Sequence, residues 1–88
     1  MAGVVKIKER IGEKVLVYGR FIDEGKKIVV YSGRLVGFGD KFVVLRNCEA
    51  YLYEYKDNKL EKKGLIMKVP LNVLHWGVIA SVAFIEEE

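Results

Sequence analysis

The chain has one cysteine, one histidine and one proline, and it contains neither threonine nor glutamine. A lone cysteine, Cys48, excludes an internal disulfide. Beside a single histidine, His75, it cannot complete a Cys/His zinc centre either. No apolar run approaches the roughly 20 residues that a membrane span requires. The opening MAGVVKIKER has no long apolar stretch and no cleavage site, so it does not read as a signal peptide. The expectation is a cytoplasmic protein with no membrane association and no cofactor. The missing Thr and Gln, set against abundant Lys, Glu, Ile and Val, lean toward a heat-adapted source.

Catalytic patterns are scarce as well. Gly37-Phe38-Gly39 lacks the third glycine and the helix start of a dinucleotide fingerprint. Gly25-Lys26 is followed by Lys27 rather than Ser or Thr, and no upstream glycine completes a phosphate loop. His75 has no evident nucleophile partner, and Cys48 sits mid-strand as a small core residue. No enzymatic activity is expected.

What is present points to a β domain. The 88 residues form one domain, 1–88, and 51% of them are hydrophobic. A chain this short buries only about 60–65% of its unfolded surface, so a single core is marginal. With no disulfide or metal to staple it, a partner is the expected source of extra stability, and a second copy is the simplest one. The formal net charge is +3, with an acidic tail at Glu86, Glu87 and Glu88; without those three, 15 basic side chains face 9 acidic ones, a net +6. A basic body suits nucleic acid, because Lys and Arg displace counterions from phosphates. An ordinary solubilising surface accounts for it equally well.

Val4, Ile7 and Ile11 stand at helical spacing, and strand alternation through Val5 and Ile7 fits nearly as well; because Gly12 follows as a left-handed stop, a short helix over residues 1–12 is preferred. Strand patterns follow at 14–22, 28–38, 41–55, 65–77 and 78–85. Gly25 serves the turn 23–27, Gly39-Asp40 reads as a tight turn, and KDNKLEKKG, 56–64, as a charged loop. Pro70 cannot donate to a ladder, so its strand lies at an edge or carries a bulge there. Gly33 and Gly37 lie inside the second predicted strand among Leu35, Val36 and Phe38. Glycines so placed permit bulges and bends, and the expected result is a sheet curled until it closes into a small barrel. Tyr51, Tyr53 and Tyr55 share one face of the third strand, where packing against a neighbouring subunit is favoured over base stacking.

The stretch Gly33-Arg34-Leu35-Val36-Gly37-Phe38, then Phe42-Val43-Val44-Leu45, then Asn47-Cys48-Glu49, resembles the first signature motif of the Sm-like (LSm) family, of archaeal type. That motif reads roughly G-x-L-x-G-F-D, M-N-L-V-L, D-C-E. Ile11–Val17 is similar to the family's helix exit and first strand. Val73–Ile79 resembles a divergent second motif, whose core is L-I-R-G-x-N-V. The likeness covers most of the chain, with residues 13–50 as the first motif region and 65–85 as the second. It implies a short N-terminal helix on a strongly bent five-stranded antiparallel barrel, Sm-like and SH3-like. It also implies rings of six or seven subunits, made by pairing the fourth strand of one with the fifth of the next. Their expected ligand is single-stranded RNA, often uridine-rich, on the inner rim.

The resemblance also assigns a pocket. Family members use an aromatic or His and an Asn from the loop between strands two and three, and an Arg from the second motif. If Asp40 matches the family's Asp, Phe42 takes the stacking position. If Phe38 anchors the alignment instead, Lys41 and Val43 take the pocket positions. Neither register supplies an Asn, and the Arg position falls on Trp76. The candidate RNA-binding residues are therefore Asp40, Lys41, Phe42, His75 and Trp76. Packing is the favoured ordinary role for Phe42 and Trp76, and an interface or surface position for His75. Valine cannot hydrogen-bond a base edge, and indole cannot clamp as guanidinium does, so the expected RNA binding is weakened or altered in specificity. The alternative is a structural or protein-interaction oligomer without RNA. An unrelated OB-like barrel is a third option.

Overall fold

The computed structural model describes residues 10–85. It is all-β among those residues: β1 (Lys14–Gly19), β2 (Lys27–Phe38), β3 (Phe42–Lys56), β4 (Lys59–His75) and β5 (Ile79–Phe84). All neighbours pair antiparallel in one sheet of order β4-β3-β2-β1-β5. Most of the helix expected over 1–12 lies outside the described residues. The part within them, Arg10–Gly12, is a turn in which Glu13 N–H donates to Arg10 O at 3.0 Å. Gly12 has φ +96°, the left-handed conformation expected of it.

Strand order and connection length together dictate a curved sheet. β4 and β5 are the two outermost strands, yet only the 3-10 turn Trp76–Val78 separates them in sequence. Four Cα steps from His75 to Ile79 reach at most about 14 Å. In a flat sheet, edge strands four spacings apart would stand about 19 Å from each other. Hydrogen bonds pin the short link at both ends. Trp76 N–H donates to Lys41 O at 2.9 Å, and Arg20 N–H donates to Val78 O at 3.2 Å.

Curling stops short of closure, which corrects the expected barrel. No ladder joins β4 to β5, and both remain open edges. The physical reason lies in the link itself. Its residues bond to the Lys41 carbonyl in the β2–β3 connection and to the Arg20 N–H just past β1, so it crosses the gap by way of these two points without a β4–β5 pairing.

The bend is concentrated where β2 and β3 slip register. Ser32 pairs with Glu49 but Arg34 with Arg46, leaving one extra residue on β3. Asn47 takes it up with φ +51°, a conformation that Asn tolerates better than most side chains. Because of that extra residue, Leu45 and Cys48 both point inward although they are three apart, and both are 0% exposed. Gly33 lies opposite the bulge. A Cβ there would sit 2.9 Å from the Arg46 carbonyl oxygen and 3.3 Å from Leu45 Cβ, so the backbones meet only because glycine has none. Gly37 adjoins a second slip, between Leu35 and Gly37, but a Cβ there would meet nothing within 4 Å. The two glycines that look alike in the sequence thus differ in role.

Inside the curl, Val15, Val17, Leu35, Val43, Leu45, Cys48, Leu74 and Ile79 form the core, with Tyr31, Phe38, Trp76, Val82 and Phe84 packed at its margin. Asn72 Nδ2 reaches Cys48 Sγ at 3.6 Å. Pro70 lies on β4, an edge strand, and is skipped in the ladder between the pairs Arg46–Leu71 and Cys48–Val69.

The charged loop expected at 56–64 is not a loop. β3 and β4 run on past it as a ribbon, and the reversal takes only Asp57 and Asn58, at φ +53° and +62°. Two adjacent left-handed residues make the two-residue hairpin turn whose twist matches the strands, and Asp and Asn both tolerate it. Lys63–Glu54 at 3.5 Å and Lys62 Nζ 3.8 Å over the Tyr51 ring lace the charged ribbon together. On β3, Tyr51 and Tyr53 stand opposite Val30 and Ile28, and Tyr55 meets Phe21 edge-on with centroids 6.4 Å apart. These are contacts within the chain, whereas the packing expected of the tyrosine row was against a neighbouring subunit.

Substituting Gly33→Ala should lower stability by about 1–3 kcal/mol, the usual cost of forcing a methyl into packed surroundings. Gly37→Ala should stay within about 0.5 kcal/mol, as substitutions at sites without close contacts do. Urea denaturation of the two variants side by side checks the contrast, and equal losses would remove Gly33 as the bending point.

Candidate nucleic-acid interface

The five sequence-predicted residues gather at one end of the sheet. Asp40 and Lys41 are exposed in the short connection between β2 and β3. Phe42 begins β3 and pairs directly with His75, the last residue of β4. Trp76 follows at once. Two segments more than 30 residues apart in sequence are thus set side by side by the β3–β4 register.

Their environments differ. Phe42 is 42% exposed, and its ring lies over Gly39, where an added Cβ would come within 3.0 Å of it. Gly39 N–H donates to Phe42 O at 2.8 Å and closes the connection. His75 is exposed, and its Nδ1 accepts from Gly77 N–H at 2.9 Å. An accepting Nδ1 puts the proton of the neutral imidazole on Nε2. Trp76 is half-buried against the core, and its indole N–H donates to Gly39 O at 2.8 Å. Trp76 therefore clamps the β2–β3 connection from within, while Phe42 and His75 present ring surface to solvent.

One neighbour escaped the sequence reading. Arg20, just past β1, donates from Nε to Gly77 O at 2.8 Å, across 57 residues of sequence. Only the curl of the sheet brings it there, and no local pattern signals it. Asp40 offsets Lys41, so Arg20 supplies the remaining positive charge at this end. Among the described residues, no group of three or more His, Cys, Asp or Glu side chains could hold a metal ion. Nor, among the described residues, is any helix long and apolar enough to cross a membrane.

This end of the sheet offers the exposed rings of Phe42 and His75, one imidazole N–H and the cations of Lys41 and Arg20. Cys48 is remote from the cluster and enclosed by the core; burial pushes its thiol above the ordinary value of 9.0, with the Asn72 contact opposing and Glu49 reinforcing the shift. Burial also raises the Tyr31 phenol above 10.0, helped by the neighbouring Cys48. No family model matches the chain, and no curated protein matches it.

The raised thiol has a pH consequence. In the unfolded chain Cys48 ionises first, so the stability it confers is fully present below that unfolded value. It is lost as pH climbs through the higher folded value. Stability should therefore fall on the alkaline side of pH 9.0, and Cys48→Ala should flatten part of that fall while lowering stability at neutral pH. Urea midpoints measured from neutral to alkaline pH for both proteins check this; parallel curves would show that the thiol contributes nothing to it.

Proposed function

We propose that this chain is an Sm-like subunit that assembles edge to edge into a closed ring and binds single-stranded RNA with weakened or altered uridine specificity. One observation carries the reading: a strongly curled five-stranded sheet that ends in two unpaired edges, β4 and β5. β4 is 17 residues long, and Leu60, Leu65, Ile66, Leu71 and Val73 along it are 45–59% exposed. An edge of this length and character pairs with another strand unless something blunts it. Here Pro70 and two single-residue bulges, at Ile66 and Lys63, interrupt part of the edge without removing its apolar side chains. Pairing of β4 with β5 of the next copy is a heterologous contact, and such a contact makes a ring when its rotation closes. Residues 33–49 and 73–79 of the family resemblance fall on the bulged β2–β3 pair and on the β4–β5 link, which supports the same assignment.

For RNA, the support is the meeting of Phe42 with His75 beside Lys41 and Arg20. Stacking one base on an exposed ring is worth about 1–3 kcal/mol without demanding a particular base. A second reading, an oligomer that holds no RNA, is favoured by the commitment of Trp76 to Gly39 O and by the lack of an Asn at the pocket positions.

Light scattering should give a mass several times 10.1 kDa, and Leu71→Glu on the β4 edge should reduce it to the monomer. A native monomer at micromolar concentration would end the ring reading. Fluorescence anisotropy with oligouridine and oligoadenosine separates the two functions. Phe42→Ala should weaken both oligonucleotides about tenfold or more, in line with one lost stack. Trp76→Phe should instead lower stability by about 0.5–1.5 kcal/mol, the worth of one hydrogen bond. Absence of binding to either oligonucleotide at low salt would leave the structural ring standing.

A further inference from the structure

The two open edges differ greatly in length. β4 has 17 residues and β5 has six, so a complete β4–β5 ladder between copies leaves eleven positions of the β4 edge unmatched. Leu71 and Val73, 55% and 59% exposed, mark the later half of β4 as the apolar place for β5. Every strand pair among the described residues is antiparallel. In a contact of that sense, the chain that leaves β5 beyond Phe84 runs toward the start of β4, along residues 59–68.

That first half of β4 is its lysine-rich part. Residues 59–68 hold Lys59, Lys62, Lys63 and Lys68 against Glu61 alone, a net +3. All four lysines are exposed. Lys63 and Lys68 reach Glu54 and Glu49 at 3.5 and 3.7 Å, yet their side chains remain 44% and 71% exposed. Exposed pairs of that kind contribute little, and each ammonium keeps further donors. Beyond β5 stand Glu86, Glu87 and Glu88, a net −3. They follow Ile85, the last described residue, whose N–H donates to Lys14 O at 3.0 Å and so holds the exit of β5 in line with β1. Three extended residues span about 10 Å, the reach of three successive positions on a facing strand.

We propose that Glu86, Glu87 and Glu88 of one copy lie along the lysine-bearing half of β4 of the next copy, extending the β4–β5 contact past the end of β5. The inference rests on the edge-to-edge reading above and adds a direction and a charge contact to it. A tail that meets Lys62, Lys63 and Lys68 favours the antiparallel sense. The parallel sense would carry the tail past His75 and away from those lysines. Assembly therefore weakens as salt rises, because charge pairs exposed to solvent are screened.

Light scattering of the full chain over a concentration series reads the assembly. Glu86→Gln, Glu87→Gln and Glu88→Gln together should raise the concentration at which it dissociates about tenfold, roughly a factor of two for each exposed pair, and should flatten its salt dependence. A second arm exchanges charge between chains. One chain carries Glu86→Lys, Glu87→Lys and Glu88→Lys; the other carries Lys62→Glu and Lys63→Glu. Each alone should assemble more weakly than wild type, since like charges then face each other. Mixed one to one they should assemble again, because every contact between unlike chains joins opposite charges. Urea midpoints near wild type establish that both chains are folded; should the β4 reversal unfold its chain, Lys62→Gln with Lys63→Gln should show the weakening instead. Assembly that none of these substitutions alters overturns the tail contact and leaves the edge contact standing. Chains that weaken alone and do not recover when mixed put the tail on its own chain, beside Lys14, and overturn it as well. A wild-type monomer at micromolar concentration overturns both the tail contact and the ring.

Discussion

Three residues, Trp76, Gly77 and Val78, carry the chain from one margin of the sheet to the other, and most of the architecture follows from that short reach. A link of this length cannot cross a flat five-stranded sheet, so the strands between must coil. The coil demands a place where two backbones close up. The sequence provides it at Gly33, where no Cβ stands between the chain and the Arg46 carbonyl. Asn47 absorbs the surplus residue on the other strand. The inward alternation changes phase there, which keeps both Leu45 and Cys48 in one core.

The same link explains why Phe42, His75 and Trp76 lie together. Trp76 is bonded twice to the β2–β3 connection, through its backbone N–H to Lys41 and through its indole to Gly39. Arg20 grips the link from the opposite side. Phe42 and His75 are therefore held next to each other by the elements that hold the curl itself. The residues that hold the curl thus also set the surroundings of these two exposed rings.

Much of this was legible in the amino-acid order, and the exceptions have physical reasons. β1, β2, β3 and β5 announce themselves through β-branched and aromatic alternation, and Pro70 correctly marks an edge. The first half of β4 does not, because its Lys and Glu side chains face solvent; what makes it a strand is cross-strand charge pairing and the left-handed Asp57-Asn58 turn. Closure of the barrel was over-read, since glycine spacing reports where a sheet can bend and not whether its margins meet. The nearness of Phe42 to His75 could be anticipated from the motif resemblance. The donor role of Trp76 and the presence of Arg20 could not, since each depends on contacts between segments distant in the chain.

The tight Asp57-Asn58 reversal has a further consequence, for the order in which the molecule forms. Hairpins closed by two residues assemble in about 1–10 μs, and β3 with β4 is such a pair. The β1–β5 ladder, by contrast, joins Tyr18 to Ser81 and Val15 to Phe84. It must enclose nearly the whole chain, and loop-closure entropy places such long-range pairing last. β5 is therefore the latecomer of the fold. Until it docks, the nascent molecule offers β1 as an unfilled slot that the β5 of a sister chain can occupy as readily as its own, which makes strand exchange between copies the characteristic misassembly of this topology.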